Sequence, residues 1–253
     1  MTMHLVIPDP HATPDWNNDR FDWLGQLIVD LKPDEVICLG DMADMSSLCS
    51  YEKGTKGFEG RRYRADVDSV LEAQERLWAP SRKLKKKMPT RRMLIGNHEH
   101  RITRAISLDP VLLDGTISMV DLGYERNWDY VVDYTGGTPS VHVVDGVAYA
   151  HYFISGVMGR PINGLHPANS LLVKQFMSCT QGHVHTTDYS VRTTAQGKRI
   201  QGLIAGVYSD QQIDYAGVAN DEWWRGVIVK RNVVDGQYDP EWISMERLKK
   251  EYA

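Results

Sequence analysis

Histidine, aspartate and asparagine side chains follow five short apolar runs in this sequence. In chain order they are Asp9, His11, Asp41, Asp44, Asn97, His98, His151, His183 and His185. Taken singly, each is typical of a turn, a helix cap or a surface histidine. Taken together, imidazole, carboxylate and amide groups suit borderline divalent ions such as Mn²⁺, Fe²⁺ or Zn²⁺, whereas Mg²⁺ and Ca²⁺ sites use nearly all oxygen. The set therefore predicts a metal site.

The segment QGHVH raises the question of what brings His183 and His185 so close together. In an extended segment, residues two apart point to the same side of the chain. An extended backbone here would therefore project both imidazoles into one site.

The elements that must position these residues can be predicted from the apolar pattern. Three β-branched runs, HLVIPD, EVICLGD and RRMLIGN, alternate with amphipathic stretches, which is typical of an α/β unit with buried parallel strands. Helices are predicted over DRFDWLGQLIVDL, ended by Pro33, and over 64–88, kinked or split by Pro80. The predicted apolar stripe of the second helix is Val67, Val70, Leu71, Leu77, Trp78 and Leu84. Ligands bind at the carboxyl ends of such strands, where the polar residues occur.

After Gly136 the pattern changes to strands joined by glycine-containing turns. The segments are SVHVVDGVAYAH, YSVRTTAQGKRIQGLIAG and GVIVKRNVVDGQYDPEWI. They predict a second half that is mainly antiparallel sheet. We therefore expect an α/β fold with two mixed β-sheets packed face to face and flanked by helices. Trp223 and Trp224 are expected to pack between sheet and helix, with base stacking as the alternative.

Composition excludes several classes of protein. The 253 residues are 42% hydrophobic and 25% charged, and no Pro- or Ser-rich linker divides them, which favours a single domain over 1–253. With no basic leader and no apolar stretch of about 20 residues, we expect a cytoplasmic protein without a membrane partner. Cys38, Cys49 and Cys179 lack metal-binding spacing and are expected to be buried free thiols. The net charge of −4 excludes nucleic-acid binding by global charge alone.

The polar motifs together resemble the calcineurin-like metallophosphoesterase superfamily. They read DPH from Asp9, GDMAD from Gly40, GNHE from Gly96, then His151, and GHVH from Gly182, so the resemblance spans residues 9 to 185. It implies a four-layer αββα sandwich and a phosphoesterase activity. The stretch at about 46–90 would then be a helical, basic insertion in this domain.

Carried over to these positions, the resemblance implies two divalent ions bridged by Asp41. Asp9, His11 and His185 would complete one site, while Asn97, His151 and His183 would complete the other. The implied ions are Mn²⁺ in the first place, then Fe²⁺, Zn²⁺ or Ni²⁺. Such a pair, about 3.5 to 4 Å apart, clamps the oxygens of an in-line phosphoryl displacement and lowers the pKa of a bound water. His98 would donate a proton to the leaving group and would be oriented by Asp44.

The substrate is less strongly indicated than the chemistry. Superfamily members that cleave phosphomonoesters carry an arginine where this chain has Met45, and a singly charged phosphodiester needs less cationic clamping. Phosphodiesters of nucleic acid or nucleotides are therefore favoured, possible partners being DNA or RNA. Candidate substrate-binding residues are Arg61, Arg62, Arg64, Arg101, Arg104, Arg160 and His166.

Two alternatives remain open, together with the oligomeric state. One is a phosphomonoesterase that acts on a phosphoprotein or a small metabolite. The other is a non-catalytic binding module with the same fold, which would be expected to have lost metal ligands or His98. This sequence retains all of them.

Overall fold

The strands of this α/β protein build two main sheets. The structure is a computed structural model that describes residues 1–85, 87–211, 217 and 219–253. The strands are β1 (Thr2–Ile7), β2 (Glu35–Cys38), β3 (Thr90–Leu94), β4 (Tyr130–Val132), β5 (Tyr134–Thr135), β6 (Thr138–Pro139), β7 (His142–Val144), β8 (Val147–Ala150), β9 (Ile154–Ser155), β10 (Arg160–Pro161), β11 (Ser178–Gln181), β12 (Thr187–Thr193), β13 (Arg199–Ala205), β14 (Gly226–Val234) and β15 (Gln237–Ser244). The pairs β5–β6 and β9–β10 form small separate ribbons.

The first sheet has the strand order β15-β14-β1-β2-β3-β4. Strands β1 to β4 are parallel neighbours in chain order, which confirms the predicted parallel unit. The hairpin β14–β15 adds to the other edge, with β14 antiparallel to β1. The carboxyl ends of β1, β2 and β3 therefore meet at one edge, directly before the polar motifs.

The second sheet has the order β12-β13-β11-β8-β7. Strand β11 pairs in parallel with both β8 and β13, whereas β12–β13 and β7–β8 are antiparallel hairpins. The second half of the chain is thus mainly antiparallel, as predicted, except at the centre of this sheet, where β11 is parallel to both neighbours. The pairing of β11 with β8 is parallel because the chain crosses between them through the helix at 167–175 and not through a tight turn.

Eight α-helices within the described ranges accompany the sheets. They are α1 (Asp19–Leu31), α2 (Tyr63–Lys83), α3 (His100–Leu108), α4 (Pro110–Leu113), α5 (Tyr124–Asn127), α6 (Pro167–Gln175), α7 (Ala219–Glu222) and α8 (Met245–Tyr252). The first two, α1 and α2, are those predicted from the apolar periodicity. Helix α2 continues through Pro80 and ends at Lys83. Leu84, placed on the predicted stripe, is consequently 47% exposed, while Val67, Val70, Leu77 and Trp78 are buried.

Alternate residues of the central strands supply two different cores. In β1, Leu5 and Ile7 pack with residues of α1 and α2, whereas Val6 packs with Tyr149 and Leu203 of the second sheet. This is the period of two expected for a strand that is covered on both faces. A third cluster joins the second sheet to Leu171 and Leu172 of α6. Each large apolar side chain buried in this way stabilises the fold by about 1.5 to 3 kcal/mol.

Cys38, Cys49 and Cys179 are buried and free, as predicted. In the part of the chain that the structure describes, no helix has both the length and the apolar character needed to cross a membrane.

Candidate metal centre

The polar motifs converge at the carboxyl ends of β1, β2, β3, β8 and β11. Backbone hydrogen bonds tie these loops together: His11 N–H donates to the Asp41 carbonyl (2.8 Å), and Gly182 N–H donates to the His151 carbonyl (3.0 Å). Ligand atoms of His11, Asp41 and His98 lie within 4.8 Å of one another, and so do those of Asp41, His151 and His183. The two groups share Asp41, which is the residue implied as the bridge.

One half of the cluster is built around His11 and His185. Their Nε2 atoms are 3.3 Å apart, and Asp9 Oδ2 lies 3.7 Å from His185 Nε2. Asp9 Oδ1 is a buried carboxylate oxygen that makes no hydrogen bond in the described structure, although His151 Nδ1 lies 3.4 Å away. A buried carboxylate oxygen normally has a partner. These donors therefore fit a cation that would lie among Asp9, His11 and His185.

The other half is built around His151, which is fully buried. Its Nδ1 lies 3.0 Å from the Leu39 carbonyl oxygen, which fixes the ring. Its Nε2 lies 2.7 Å from Asn97 Oδ1, 3.2 Å from His183 Nδ1 and 3.3 Å from Asp41 Oδ2. Because a single ring nitrogen cannot satisfy three such atoms with one proton, this group also fits the donor set of a cation.

The backbone that presents these groups is in the left-handed region. The φ angles are 39° for Asp9, 47° for His11, 50° for Asp41, 68° for His183 and 61° for His185. The prediction of an extended GHVH segment was therefore wrong, although the two rings do reach one cluster. Non-glycine residues seldom adopt positive φ, and such residues concentrate at functional sites.

Two glycines allow the loops to approach so closely. A Cβ on Gly182 would lie 2.6 Å from Asp9 Oδ1, and a Cβ on Gly96 would overlap the Asp41 carboxylate. Neither glycine has a positive φ in this structure. Glycine is therefore required because a side chain would not fit, and not because of the backbone conformation. The glycines of the GNHE and GHVH motifs therefore make room for carboxylates that the predicted ligand set requires.

His98 lies beside the cluster and contacts Asp44, as the resemblance implies. Its Nδ1 is 2.8 Å from the Asp44 carbonyl oxygen and 3.1 Å from Asp44 Oδ1. Its Nε2 is 3.8 Å from Asp41 Oδ2. Asp44 Oδ1 is also 3.1 Å from His11 Nδ1, so one carboxylate orients both imidazoles.

Glu99 is a component of the site whose role could not be predicted from the sequence. Its buried carboxylate accepts hydrogen bonds from the N–H groups of Asp41 (3.0 Å), Ala43 (2.9 Å) and Gly96 (2.9 Å), and from the Tyr124 hydroxyl (2.9 Å). It thereby joins the loop after β2 to the loop after β3. Glu99 is the last residue of the GNHE motif, but most of the groups that donate hydrogen bonds to it are distant in sequence.

The electrostatics divide the histidines into two groups. Burial lowers the pKa of His183 to about 3, with help from His151, and burial likewise lowers the pKa of His185, with help from His11. Burial also opposes protonation of His151, but Asp41 and Asp9 outweigh it and raise its pKa to about 9. Burial disfavours ionisation of Asp41, yet the surrounding imidazoles keep its pKa below the ordinary value. Neutral His183 and His185 offer lone pairs to a cation.

A cavity of about 750 Å³ opens beside His98 and Asp44. Two of the predicted substrate-binding arginines, Arg61 and Arg101, line it. Arg101 Nη1 donates to the carbonyl oxygens of Asp44 (2.9 Å) and Met45 (3.3 Å), and its Nη2 lies 3.2 Å from His98 Nε2. Arg61 is paired with Glu52.

The other predicted substrate-binding residues lie away from the ligand cluster. Arg62 donates to the carbonyl oxygen of Arg61. Arg64 pairs with Asp68 at 3.0 Å, and Arg104 contacts Ser50. Arg160 lines a different cavity, beside Lys174, and His166 is an exposed residue at the start of α6. The contacts described for these five residues do not reach the metal-ligand candidates.

The two adjacent tryptophans have different roles. The Trp223 ring meets the His185 ring edge to face, with centroids 4.4 Å apart at 90°. Trp224 packs against the core between the two sheets. The prediction that both pack between sheet and helix was therefore wrong: Trp224 packs between the two sheets, and Trp223 contacts a metal-ligand candidate. A scan of the chain against protein-family models gives no match, and neither does a search of curated proteins.

Proposed function

We propose that the chain is a metal-dependent phosphodiesterase of the calcineurin-like metallophosphoesterase superfamily, with its four-layer αββα sandwich. Its substrate would be nucleic acid or a nucleotide. The observation that carries the proposal is the meeting of seven side chains from five loops, which follow the carboxyl ends of strands in both sheets. They are Asp9, His11, Asp41, Asn97, His151, His183 and His185.

The donor set supports a pair of divalent ions. Imidazole, carboxylate and amide oxygen favour ions such as Mn²⁺. When bound, such ions supply Lewis acidity and a water of lowered pKa. Asp9 and Asp41 are the two carboxylates among the proposed ligands, so the loaded site would keep about two positive charges for an anionic substrate.

The protein's own groups would position the reacting ester. His98 would give a proton to the leaving oxygen, because it lines the cavity and its ring is held by Asp44. Arg101 would hold a phosphate oxygen, because its guanidinium is fixed by two carbonyls beside His98. Glu99 would hold the loops that carry Asp41 and Asn97 in fixed positions relative to each other.

The charges of the cavity support a diester over a monoester. Met45 is fully buried in the core, so the residue after Asp44 offers no cation. Arg61 is neutralised by Glu52, whereas Arg101 is joined to no carboxylate among the described residues. One unpaired guanidinium complements the single charge of a phosphodiester better than the double charge of a monoester.

The test is hydrolysis with added Mn²⁺ of bis(p-nitrophenyl) phosphate, p-nitrophenyl phosphate, and labelled single- and double-stranded DNA and RNA. The parent protein is compared with Asp41→Asn and with a sample in EDTA. We expect diester cleavage that both controls abolish. Faster cleavage of p-nitrophenyl phosphate would indicate a phosphomonoesterase, and no cleavage of any ester would indicate a non-catalytic protein.

A further inference from the structure

We propose that the cavity beside His98 is a binding site for an unpaired nucleobase, which stacks on Trp16 and Tyr51. This inference rests on the proposed function and specifies its substrate as a nucleotide or single-stranded nucleic acid. Both aromatic side chains line the same cavity as His98, Asp44 and Arg101. A base bound there would lie next to the phosphate that His98 and Arg101 serve.

The two rings are unusually exposed for aromatic side chains. Trp16 is 41% exposed and Tyr51 is 86% exposed. In the described part of the chain, neither packs against another aromatic ring. Large aromatic surfaces left in water beside a polar site are typical of ligand contacts.

Polar contacts hold each ring in place. Trp16 Nε1–H donates to Asp210 Oδ1 at 2.9 Å. The Arg104 guanidinium lies over the Tyr51 ring, 5.7 Å from its centroid. An aromatic ring combined with arginine is the usual means of holding a single-stranded base, and it tolerates any base because each has a π-face.

The charges favour a base over further phosphate groups. Apart from Arg101, the charged side chains of the lining are Asp15, Glu52, Arg61 and Asp44. Glu52 neutralises Arg61, and Asp44 contacts two imidazoles, which leaves Arg101 and Asp15 as the charged lining residues that are in no ion pair among the described residues. Such a lining accommodates one phosphate at Arg101 and a neutral group beyond it.

The size of the cavity agrees with this occupant. Its volume of about 750 Å³ lies within the range of about 300 to 1,000 Å³ typical of small-ligand sites. Bases within a duplex are already stacked on their neighbours, whereas an unpaired base can offer its faces to protein rings. Duplex DNA is therefore expected to be the poorer ligand.

Binding is tested first, by titration calorimetry in EDTA so that no hydrolysis interferes. The probes are single-stranded pentathymidylate and the same pentamer without bases. Trp16→Ala and Tyr51→Ala should each weaken pentathymidylate binding by about 5- to 150-fold. Trp16→Phe and Tyr51→Phe, which keep a ring, should retain most of the affinity. Phe176→Ala, at an exposed aromatic residue outside this cavity, should bind like the parent.

Hydrolysis of the two pentamers with Mn²⁺ separates the two proposals. Equal affinity of the parent for both pentamers would overturn the nucleobase site, whatever the catalytic result. Discrimination in binding, without hydrolysis of either pentamer or of bis(p-nitrophenyl) phosphate, would support the nucleobase site and overturn the proposed function. If the parent binds and hydrolyses pentathymidylate in preference to the pentamer without bases, and Trp16→Ala loses both preferences, the nucleobase site and the proposed function are both supported.

Discussion

His98 occupies a position that fits two different roles. Its Nε2 lies close enough to Asp41 to form, with His11, a three-residue group that suits a cation. Its Nδ1 instead faces Asp44, and its ring lines the cavity, which suits a proton donor. The distinction matters because a ligand acts on metal affinity, whereas a general acid acts on rate alone.

His98→Ala is expected to keep two metal ions per chain and to slow diester hydrolysis by about 10²- to 10⁴-fold, because only the proton transfer is lost. Metal content by mass spectrometry and steady-state kinetics measure the two effects. His100→Ala is the matched control, since that ring stacks on Tyr134 and not on the cluster. Loss of one ion from His98→Ala would make His98 a ligand.

Gly96 shows how an element boundary, and not a single ligand, sets the geometry. It lies between the end of β3 and the start of α3, directly against the Asp41 carboxylate of the loop after β2. Its N–H donates to Glu99, which also accepts from Asp41 N–H. The two strand ends are therefore fixed to each other by packing and by a shared carboxylate.

Gly96→Ala should lower metal content and activity strongly and should destabilise the fold by about 1 to 3 kcal/mol, because the added methyl group overlaps Asp41. Urea unfolding and metal analysis measure this. Gly57→Ala is the matched control for both quantities, since nothing lies within 4 Å of a Cβ there and φ is not positive. Full metal content in Gly96→Ala would show that the loops can separate without loss of the site.

The elements were predictable where the information is local. Apolar runs with intervening amphipathic stretches predicted β1 to β3 with α1 and α2, and polar residues after strands predicted the ligand candidates. The sheet that each hairpin joins was not predictable, because β12–β13 and β14–β15 are both hairpins and yet belong to different sheets. The contacts of Glu99 and Trp223, and the positions of Trp16 and Tyr51 in the cavity beside His98, were not predicted for the same reason, because they depend on residues far along the chain.

At the scale of the whole molecule, Lys230 links the two sheets. This residue of β14 is fully buried, and its Nζ contacts Thr180 of β11. The ammonium also lies 4.5 Å from the Tyr149 ring centroid and 4.2 Å from that of Tyr238. Burial lowers the pKa of Lys230 well below its ordinary value. Between that lowered pKa and the ordinary lysine pKa, the folded protein therefore binds this proton less than the unfolded chain does.

Lys230→Met should raise the free energy of unfolding at pH 7 by on the order of 1 kcal/mol, because no lysine amine then has to be desolvated or deprotonated on folding. A lowered folded pKa makes the parent more stable as pH rises toward the ordinary lysine pKa, so the advantage of the variant should shrink between pH 7 and pH 10. Urea unfolding across this range measures it.

Lys198→Met, at a partly exposed residue paired with Asp235, controls for the loss of one positive charge. If Lys230→Met were less stable than the parent at every pH, the two tyrosine rings and Thr180 would be compensating the buried charge fully.

The left-handed backbone of the ligand loops also limits which substitutions the chain can accept over evolutionary time. At His185, whose φ is 61°, glycine and asparagine suit the backbone, whereas valine does not. In EDTA, His185→Asn and His185→Gly should therefore melt near the parent, and His185→Val should melt several degrees lower. Equal melting of all three would mean that the loop rearranges freely. A lineage that abandons metal binding would accordingly be expected to drift first through glycine and asparagine at these positions, leaving a recognisable trace of a site it no longer uses.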